Sequence, residues 1–362
     1  MTGSGGSSPL PRLGVGGGQQ AALTRAGRVA GTACLQCGPV VATMAFGGSS
    51  AMNDTTTAAE PEVSTRSGIV ALVGRANVGK STLLNCMLGE KVSIVSRVAQ
   101  TTRNLVRTML TEARGQLVLL DTPGVHRARH ELGRLMNRTA RKAASAIDVA
   151  MLVLDGSSRV RQEDRGWMRR LIGTDVPCVA VLNKADLGRA HEAGYRAAWG
   201  EAAKALDVAR EPAGWHAVSG LNGRGVPALL NALFGLVPPG PLLFPEDVLT
   251  DFPRKLLIAD LIREKLFGVL EQELPHAIAV WVDELEEAGQ NWEVAATVCV
   301  DKSSQKGIVV GHKGRVLRRV RRAAEAEISA LYEKQVRLAL WVKVERHWAR
   351  KHWILKRLGY GS

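Results

Sequence analysis

The chain is predicted to be an α/β protein: a mostly parallel sheet with helices on both faces, followed by a smaller α+β domain. Three observations predict this. From Ser67 to about Leu236, short and continuously apolar runs alternate with helix-like segments, as parallel strands covered on both faces require. Five prolines then crowd into Val237 to Pro253, too many for a helix or a central strand. Beyond them the pattern changes to amphipathic helices and alternating, half-exposed strands. At 362 residues and 46% hydrophobic composition, the chain is long enough to bury two cores.

The first 66 residues stand apart. Met1 to Asn53 contain no Asp or Glu, and Arg12, Arg25 and Arg28 are their charged side chains in a Gly-, Ser-, Ala- and Thr-rich background. That composition fits an organellar transit peptide, which must stay unfolded to be read by an import apparatus. A disordered extension with no targeting role is the alternative. Val29 to Gly47 is too rich in Gly, Thr and Pro39 for a membrane span. Five scattered cysteines argue for a reducing compartment, and the Cys34-x-x-Cys37 pair has no second pair or histidine at metal-ligand spacing.

Within residues 67–236 the apolar runs "GIVALVG", "QLVLLDTPG", "VAMLVLDG", "PCVAVLNKAD" and "WHAVSG" are the expected strands. In such sheets functional groups follow the carboxyl ends of strands. "GRANVGKST" follows the first and comprises Gly74, Arg75, Ala76, Asn77, Val78, Gly79, Lys80, Ser81 and Thr82. Gly74 and Gly79 permit a tight turn whose N–H groups surround a β-phosphate, and the following helix aims its positive end there. Lys80 is placed to reach the β- and γ-phosphates, and the Ser81 hydroxyl to ligate Mg²⁺.

The second strand end carries Asp121, Thr122, Pro123, Gly124 and Val125. Asp121 would hold the Mg²⁺ shell through water, and the Gly124 N–H would bond a γ-phosphate. Val125 follows Gly124, and a valine side chain neither donates nor accepts a hydrogen bond, so it cannot orient an attacking water and intrinsic hydrolysis should be slow. "VLNKAD" selects the base. The Asp186 carboxylate can accept from the N1–H and exocyclic amine of guanine, which adenine does not present in that arrangement. Asn183 would secure this loop, and Lys184 would lie over the base.

Residues 237–253 are expected to form a linker and 254–362 a basic domain. "RKLLIADLIREKLFGVLEQEL" reads as an amphipathic helix, "HAIAVWVDEL" and "EVAATVCVD" as strands, "GRVLRRVRRAAEAEISALYEK" as a long basic helix and "VRLALWVKVER" as a last strand. Gly311-x-x-Gly314 would let a nucleic-acid backbone approach closely. His312, Lys313, Arg315 and Arg318 lie beside it to meet phosphates, and Ile308 and Val309 to line a groove for unstacked bases. The order of helices and strands resembles a type II KH fold. From Lys306 to Leu358 there are fifteen Lys plus Arg against four Asp plus Glu. That surplus of eleven accounts for most of the chain's net +14 and favours a single-stranded RNA groove over a merely solvated helix face. Trp341, Trp348 and Trp353 are at strand and helix spacing and read as core.

Taken together, these residues resemble the Era GTPase family, TRAFAC-class G proteins with a C-terminal KH domain. The resemblance runs from about Ser67 to Tyr360. Besides the nucleotide loops it rests on "SRVAQTTRN", "FPEDVLTDFPRKLLIADLIREKLF" and "LWVKVERHWA". It implies that "QTTRN" is the first switch, with Thr102, or alternatively Thr101, ligating Mg²⁺ in the GTP state. It also implies that Ser219 and Gly220 contact the base, where the family has Ser-Ala, and that the Gly220 N–H meets guanine O6.

Asn77 resembles the asparagine with which related GTPases hold K⁺ against the phosphates, and Ala76 replaces the family's proline. The implied function is a monomeric GTP/GDP switch that binds the 3′ region of small-subunit ribosomal RNA and assists small-subunit assembly in a chloroplast or a mitochondrion. The leader, Ser/Thr/Gly-rich with few arginines, leans toward chloroplast. An RNA-binding scaffold with incidental turnover, and a peripherally membrane-associated or tRNA-modifying GTPase, are the alternatives.

Overall fold

The computed structural model describes residues 23–24, 65–95, 104–121, 147–270 and 274–360. The first domain is one eight-stranded sheet in the order β1-β8-β3-β4-β2-β5-β6-β7. Its centre is β2 (Arg66–Val73), β4 (Gly115–Asp121), β5 (Val149–Asp155), β6 (Cys178–Asn183) and β7 (Gly214–Ala217), all mutually parallel. β3 (Val106–Glu112), which the run of apolar segments does not flag, pairs antiparallel with β4. Its residues alternate less cleanly because both faces are largely buried.

Successive side chains on these strands point to opposite faces, and the sheet buries both. Leu72, Leu119, Met151 and Val181 pack on one side with Leu83 and Leu84 of α1 (Lys80–Leu88) and Leu229 and Leu233 of α4 (Val226–Leu236). Ala71, Leu120 and Leu152 pack on the other with Met168 of α2 (Gln162–Ile172) and Tyr195 and Trp199 of α3 (Glu192–Ala205). A Leu→Ala change at such sites costs about 2–5 kcal/mol.

The Pro-rich tract is not a free linker. Val237 joins the first core, the Gln116 carboxamide bonds the backbone of Leu243 and Phe244, and β8 (Val248–Thr250) adds a strand beside β3. The prolines are spaced so that 246–252 keeps its N–H groups, and Leu249 and Phe252 are buried, which anchors the tract. A two-residue strand β1 (Leu23–Thr24), inside the segment expected to be unfolded, pairs antiparallel with β8, and β2 begins at Arg66, one residue ahead of the expected boundary.

The second domain has the expected order: α5 (Arg254–Phe267), β9 (Ile278–Ala288), β10 (Asn291–Val300), α6 (Ser303–Val310), α7 (Arg315–Tyr332) and β11 (Gln335–Val344). Its sheet runs β11-β10-β9, with β10 parallel to β11 and antiparallel to β9. α5 and α7 pack on one face. Trp348 and the short α8 (His352–Arg357) cover one end of the other face. Among the described residues no helix is long and apolar enough to cross a membrane, and no group of His, Cys, Asp and Glu could hold a metal ion.

Candidate nucleotide and nucleic-acid sites

The glycine loop lies between β2 and α1, as its spacing requires. Gly74 (φ 144°) and Gly79 (φ 91°) adopt backbone conformations that L side chains rarely take. A Cβ on Gly74 would lie 2.3 Å from the Val153 carbonyl oxygen, and one on Gly79 2.5 Å from the Asn183 amide nitrogen. Lys80 Nζ donates to Gly74 O (3.1 Å) and Arg75 O (2.9 Å), so its ammonium is held within the loop. Burial pushes that ammonium below its ordinary value; Asp121 opposes the shift and Arg75 adds to it.

Ser81 Oγ donates to Asp121 Oδ2 at 2.7 Å. A hydroxyl and a carboxylate converging at a helix N-terminus beside Lys80 form an all-oxygen donor set of the kind Mg²⁺ takes. Ser93, which sequence reasoning did not single out, donates to the same Oδ2 at 2.8 Å. Its segment is clamped by Asn85, whose carboxamide accepts from the Val92 and Ser93 N–H groups and donates to Ser93 O. Asn77 is exposed with φ 62°, at the outer rim of the loop. Thr82 is half-buried and Ala76 sits beside Asn77 in the turn, whereas Val78 points into the core and offers only backbone. Thr101, Thr102, Thr122, Pro123, Gly124 and Val125 lie outside the described residues.

At the base loop, Asn183 Nδ2 donates to Val78 O (2.9 Å) and Gly79 O (3.3 Å), and its Oδ1 accepts the Gly220 N–H at 2.9 Å. One side chain thus ties together three loops. The Gly220 N–H, expected to face guanine O6, is engaged by the protein instead. Asp186 is exposed and oriented by Ser219, whose hydroxyl donates to Asp186 Oδ1 at 2.5 Å. Lys184 Nζ donates to Asp155 Oδ2 at 2.8 Å. Burial pushes the Asp155 carboxyl up, but the bonds from Lys184 and Ser157 outweigh it and hold the group below its ordinary value.

Arg75 departs from its assignment. Its backbone belongs to the loop, but its guanidinium is buried against Asp164, with Nε 3.2 Å from Oδ1, and against Asp155 and Ser158 Oγ at 3.4 and 2.9 Å.

On the second domain Gly311 (φ 70°) and Gly314 (φ 74°) join α6 to α7. A Cβ on Gly311 would lie 2.4 Å from Val316 Cγ2. His312, Lys313, Arg315 and Arg318 are exposed around this turn, as is Ile308 at 57%. Val309 is not a groove residue: helical spacing turns it inward, and it is fully buried in the second core.

A cavity of about 600 Å³ lies along α7 and the strands of the sheet, lined by Arg318, Arg321, Arg337 and Trp341 and equally by Glu284, Glu286 and Glu293. Trp341 is 56% exposed, on the face of β11 opposite the buried Leu338. The core reading holds for Trp348 and fails for Trp341 and for Trp353, which is 43% exposed. The signal was the strand alternation, which puts 337, 339 and 341 on one face and 338 on the other.

Comparison with known proteins agrees with this geometry. The family described as "50S ribosome-binding GTPase" matches residues 69–184, and the KH domain family matches residues 273–349. GTPase Era of Synechocystis sp. is 38% identical over 297 residues, covering 82% of this chain and 92% of that protein. GTPase Era of Geotalea uraniireducens is 38% identical over 296 residues, covering 82% and 98%. A crystal structure of an Aquifex aeolicus Era variant bound to GDP·AlF₄⁻ superposes with a TM-score of 0.75 at 32% identity, covering 82% of this chain and all of that one. One of Era in complex with MgGDPNP and nucleotides 1506–1542 of 16S ribosomal RNA superposes with a TM-score of 0.75 at 31% identity and the same coverage. The chain belongs to the Era GTPase family and is a GTP-hydrolysing enzyme with a P-loop GTPase domain and a C-terminal KH domain.

Proposed function

We propose that this GTPase is a switch whose nucleotide state governs the hold of its KH domain on small-subunit ribosomal RNA, and that it assists assembly of the small ribosomal subunit in an organelle. One observation carries the switch. Residues 91–95 touch both sites: Ser93 bonds Asp121 beside the phosphate loop, Ile94 is buried in the KH core, and the Val95 N–H donates to Glu264 of α5 at 3.1 Å. A change in how Asp121 is engaged is therefore felt by α5 through two consecutive peptide units, which is the physical link that a two-state coupling needs.

Bound Mg²⁺ would neutralise charge on the β- and γ-phosphate oxygens. Ser81 and Asp121 would hold it, Lys80 and the N-terminus of α1 would stabilise phosphate charge, and Asp186 would read guanine. Val125, which cannot orient an attacking water, makes turnover slow unless a partner or a cation assists. For the cation we favour K⁺ at Asn77, whose exposed side chain stands on the rim of the loop. Equal turnover in Na⁺ and K⁺ buffers would dispose of that site.

The RNA reading is supported by the exposed basic side chains around Gly311 and Gly314, by the exposed Trp341, and by the ribosomal RNA held by the Era structure compared above. The decisive measurement is RNA affinity with a GTP analogue and with GDP. Different affinities are expected; equal ones would reduce the protein to an RNA-binding scaffold with incidental turnover. The organellar setting rests on the acid-free stretch from Met1 to Asn53, and the location of a fluorescent protein fused to residues 1–66 tests it.

A further inference from the structure

Four charged side chains behind the nucleotide loops form a closed, neutral group: Arg75 and Lys184 against Asp155 and Asp164. Arg75, Asp155 and Asp164 are buried. Burying that many charges is costly unless each is paired and hydrogen-bonded; here every charge has an opposite partner, although Asp164 Oδ1 has only its ion pair with Arg75 and accepts no hydrogen bond. Asp155 Oδ1 accepts the Ser157 N–H (3.2 Å) and hydroxyl (2.6 Å), while Oδ2 faces Lys184 and Arg75. Asp164 also caps its own helix by accepting the Arg161 N–H at 3.0 Å, and the Tyr195 hydroxyl lies 3.4 Å from the same oxygen.

The topology gives this group its meaning. Asp155 ends β5, and β5 lies between β2, which feeds the phosphate loop, and β6, which feeds the base loop. From that middle position a single carboxylate oxygen receives one cation from each neighbouring loop. Asn183 links the same two loops directly, through Val78 O and Gly79 O. Lys184, held with φ 65°, makes the second link, through Asp155 to Arg75.

We propose that Asp155 is a positioning residue that joins the guanine loop to the phosphate loop, so that base selection at Asp186 and phosphate grip at Lys80 respond as one unit. Arg75 transmits this on the phosphate side and Lys184 on the base side. The proposal rests on the guanine assignment of Asp186, which competition between GTP and ATP on the unaltered protein tests separately.

The experiment measures binding of fluorescent GDP, and the ratio of GTP to ITP affinity, since ITP lacks the exocyclic amine that Asp186 would read. Asp155→Asn is expected to lower that ratio by about tenfold, the equivalent of one charge-assisted hydrogen bond, and Asp155→Glu to restore most of it. A merely structural role would weaken GTP and ITP alike and leave the ratio unchanged, and that result would overturn the proposal. A second arm compares Arg75→Gln, Lys184→Gln and the double variant. The two effects on GDP affinity should be strongly non-additive because both side chains act through one carboxylate. Additive effects would refute the link, and this arm decides the matter alone if Asp155→Asn does not fold.

Discussion

Lys91 of the GTPase domain and Glu264 of the KH helix α5 meet across the domain boundary, Nζ to Oε1, at 2.8 Å. Lys91 also pairs with Glu327 of α7, which Lys265 shares. Because Lys91 is one-third exposed, the Lys91–Glu264 pair is worth no more than about 0.5–1 kcal/mol, and it lies at the start of the segment that carries Ser93 and Ile94. Lys91→Glu should loosen the docking of the two domains, and adding Glu264→Lys should recover part of it. Hydrogen exchange along α5 and α7 reads both outcomes.

The same node predicts a pH dependence. Burial pushes the Glu327 carboxyl up, but Lys265 and Lys91 outweigh it and hold the group below its ordinary value of 4.5. Its stabilising contribution is therefore complete above pH 4.5 and is lost as pH falls through the lower folded-state value. Burial lowers Lys91, but Glu264 and Glu327 raise it above its ordinary 10.5, so its contribution is complete below 10.5 and is lost only as pH rises through that higher value. Small-angle scattering across a pH series should show the domains separating at the acidic end first.

Asp186→Asn should shift preference from guanine toward xanthine nucleotides, because the side chain would then donate where it had accepted. The Ser219 hydroxyl would still orient position 186 by accepting from the new amide. Unchanged selectivity for GTP over XTP in competition binding would refute the assignment of this loop.

Restoring the family's alanine at position 220 should harm the protein. A Cβ there would lie 2.8 Å from Leu83 Cα and 2.9 Å from Leu83 N, both backbone atoms of α1, which cannot give way as a side-chain tip does. Gly220→Ala is expected to cost about 1–3 kcal/mol and to weaken nucleotide binding as α1 shifts. Thermal unfolding and GDP titration check the two effects.

Trp341→Ala should weaken single-stranded RNA binding by about 1–3 kcal/mol, the range for loss of an aromatic stacking partner, and Trp341→Phe should retain most of the affinity. Lys313→Ala should act differently, weakening all sequences evenly and reducing the salt slope by about 1. Titrations of RNA oligonucleotides at several salt concentrations separate the two. Wild-type affinity in Trp341→Ala would remove that face of β11 from the binding surface.

Features that depend on neighbours in the chain were legible in advance. The phosphate loop needs Gly74 and Gly79 at fixed offsets from a strand end, the base loop needs an acid beside a tethering Asn, and the KH turn needs glycines at both ends; each is a local constraint on backbone and chemistry. The parallel strands were visible through their apolar runs, and the helix and strand order of the KH domain through its periodicity. β3 escaped notice because an antiparallel strand inside such a sheet has no distinctive pattern, and the tract at 237–253 was misjudged because proline count says nothing about what Leu249 and Phe252 pack against.

By itself, then, the sequence determined the fold class, the guanine-nucleotide loops and the basic G-x-x-G turn, since these follow from spacings along the chain. Only the tertiary structure decided that Ser93 reaches Asp121 while Ile94 enters the KH core, that Trp341 faces outward and Val309 inward, and that Asp155 receives Arg75 and Lys184. The physical reason is the same in each case. Strand order brings together side chains tens of residues apart, and the sharing of one carboxylate by two cations, or the direction of one ring, exists only once that order is formed.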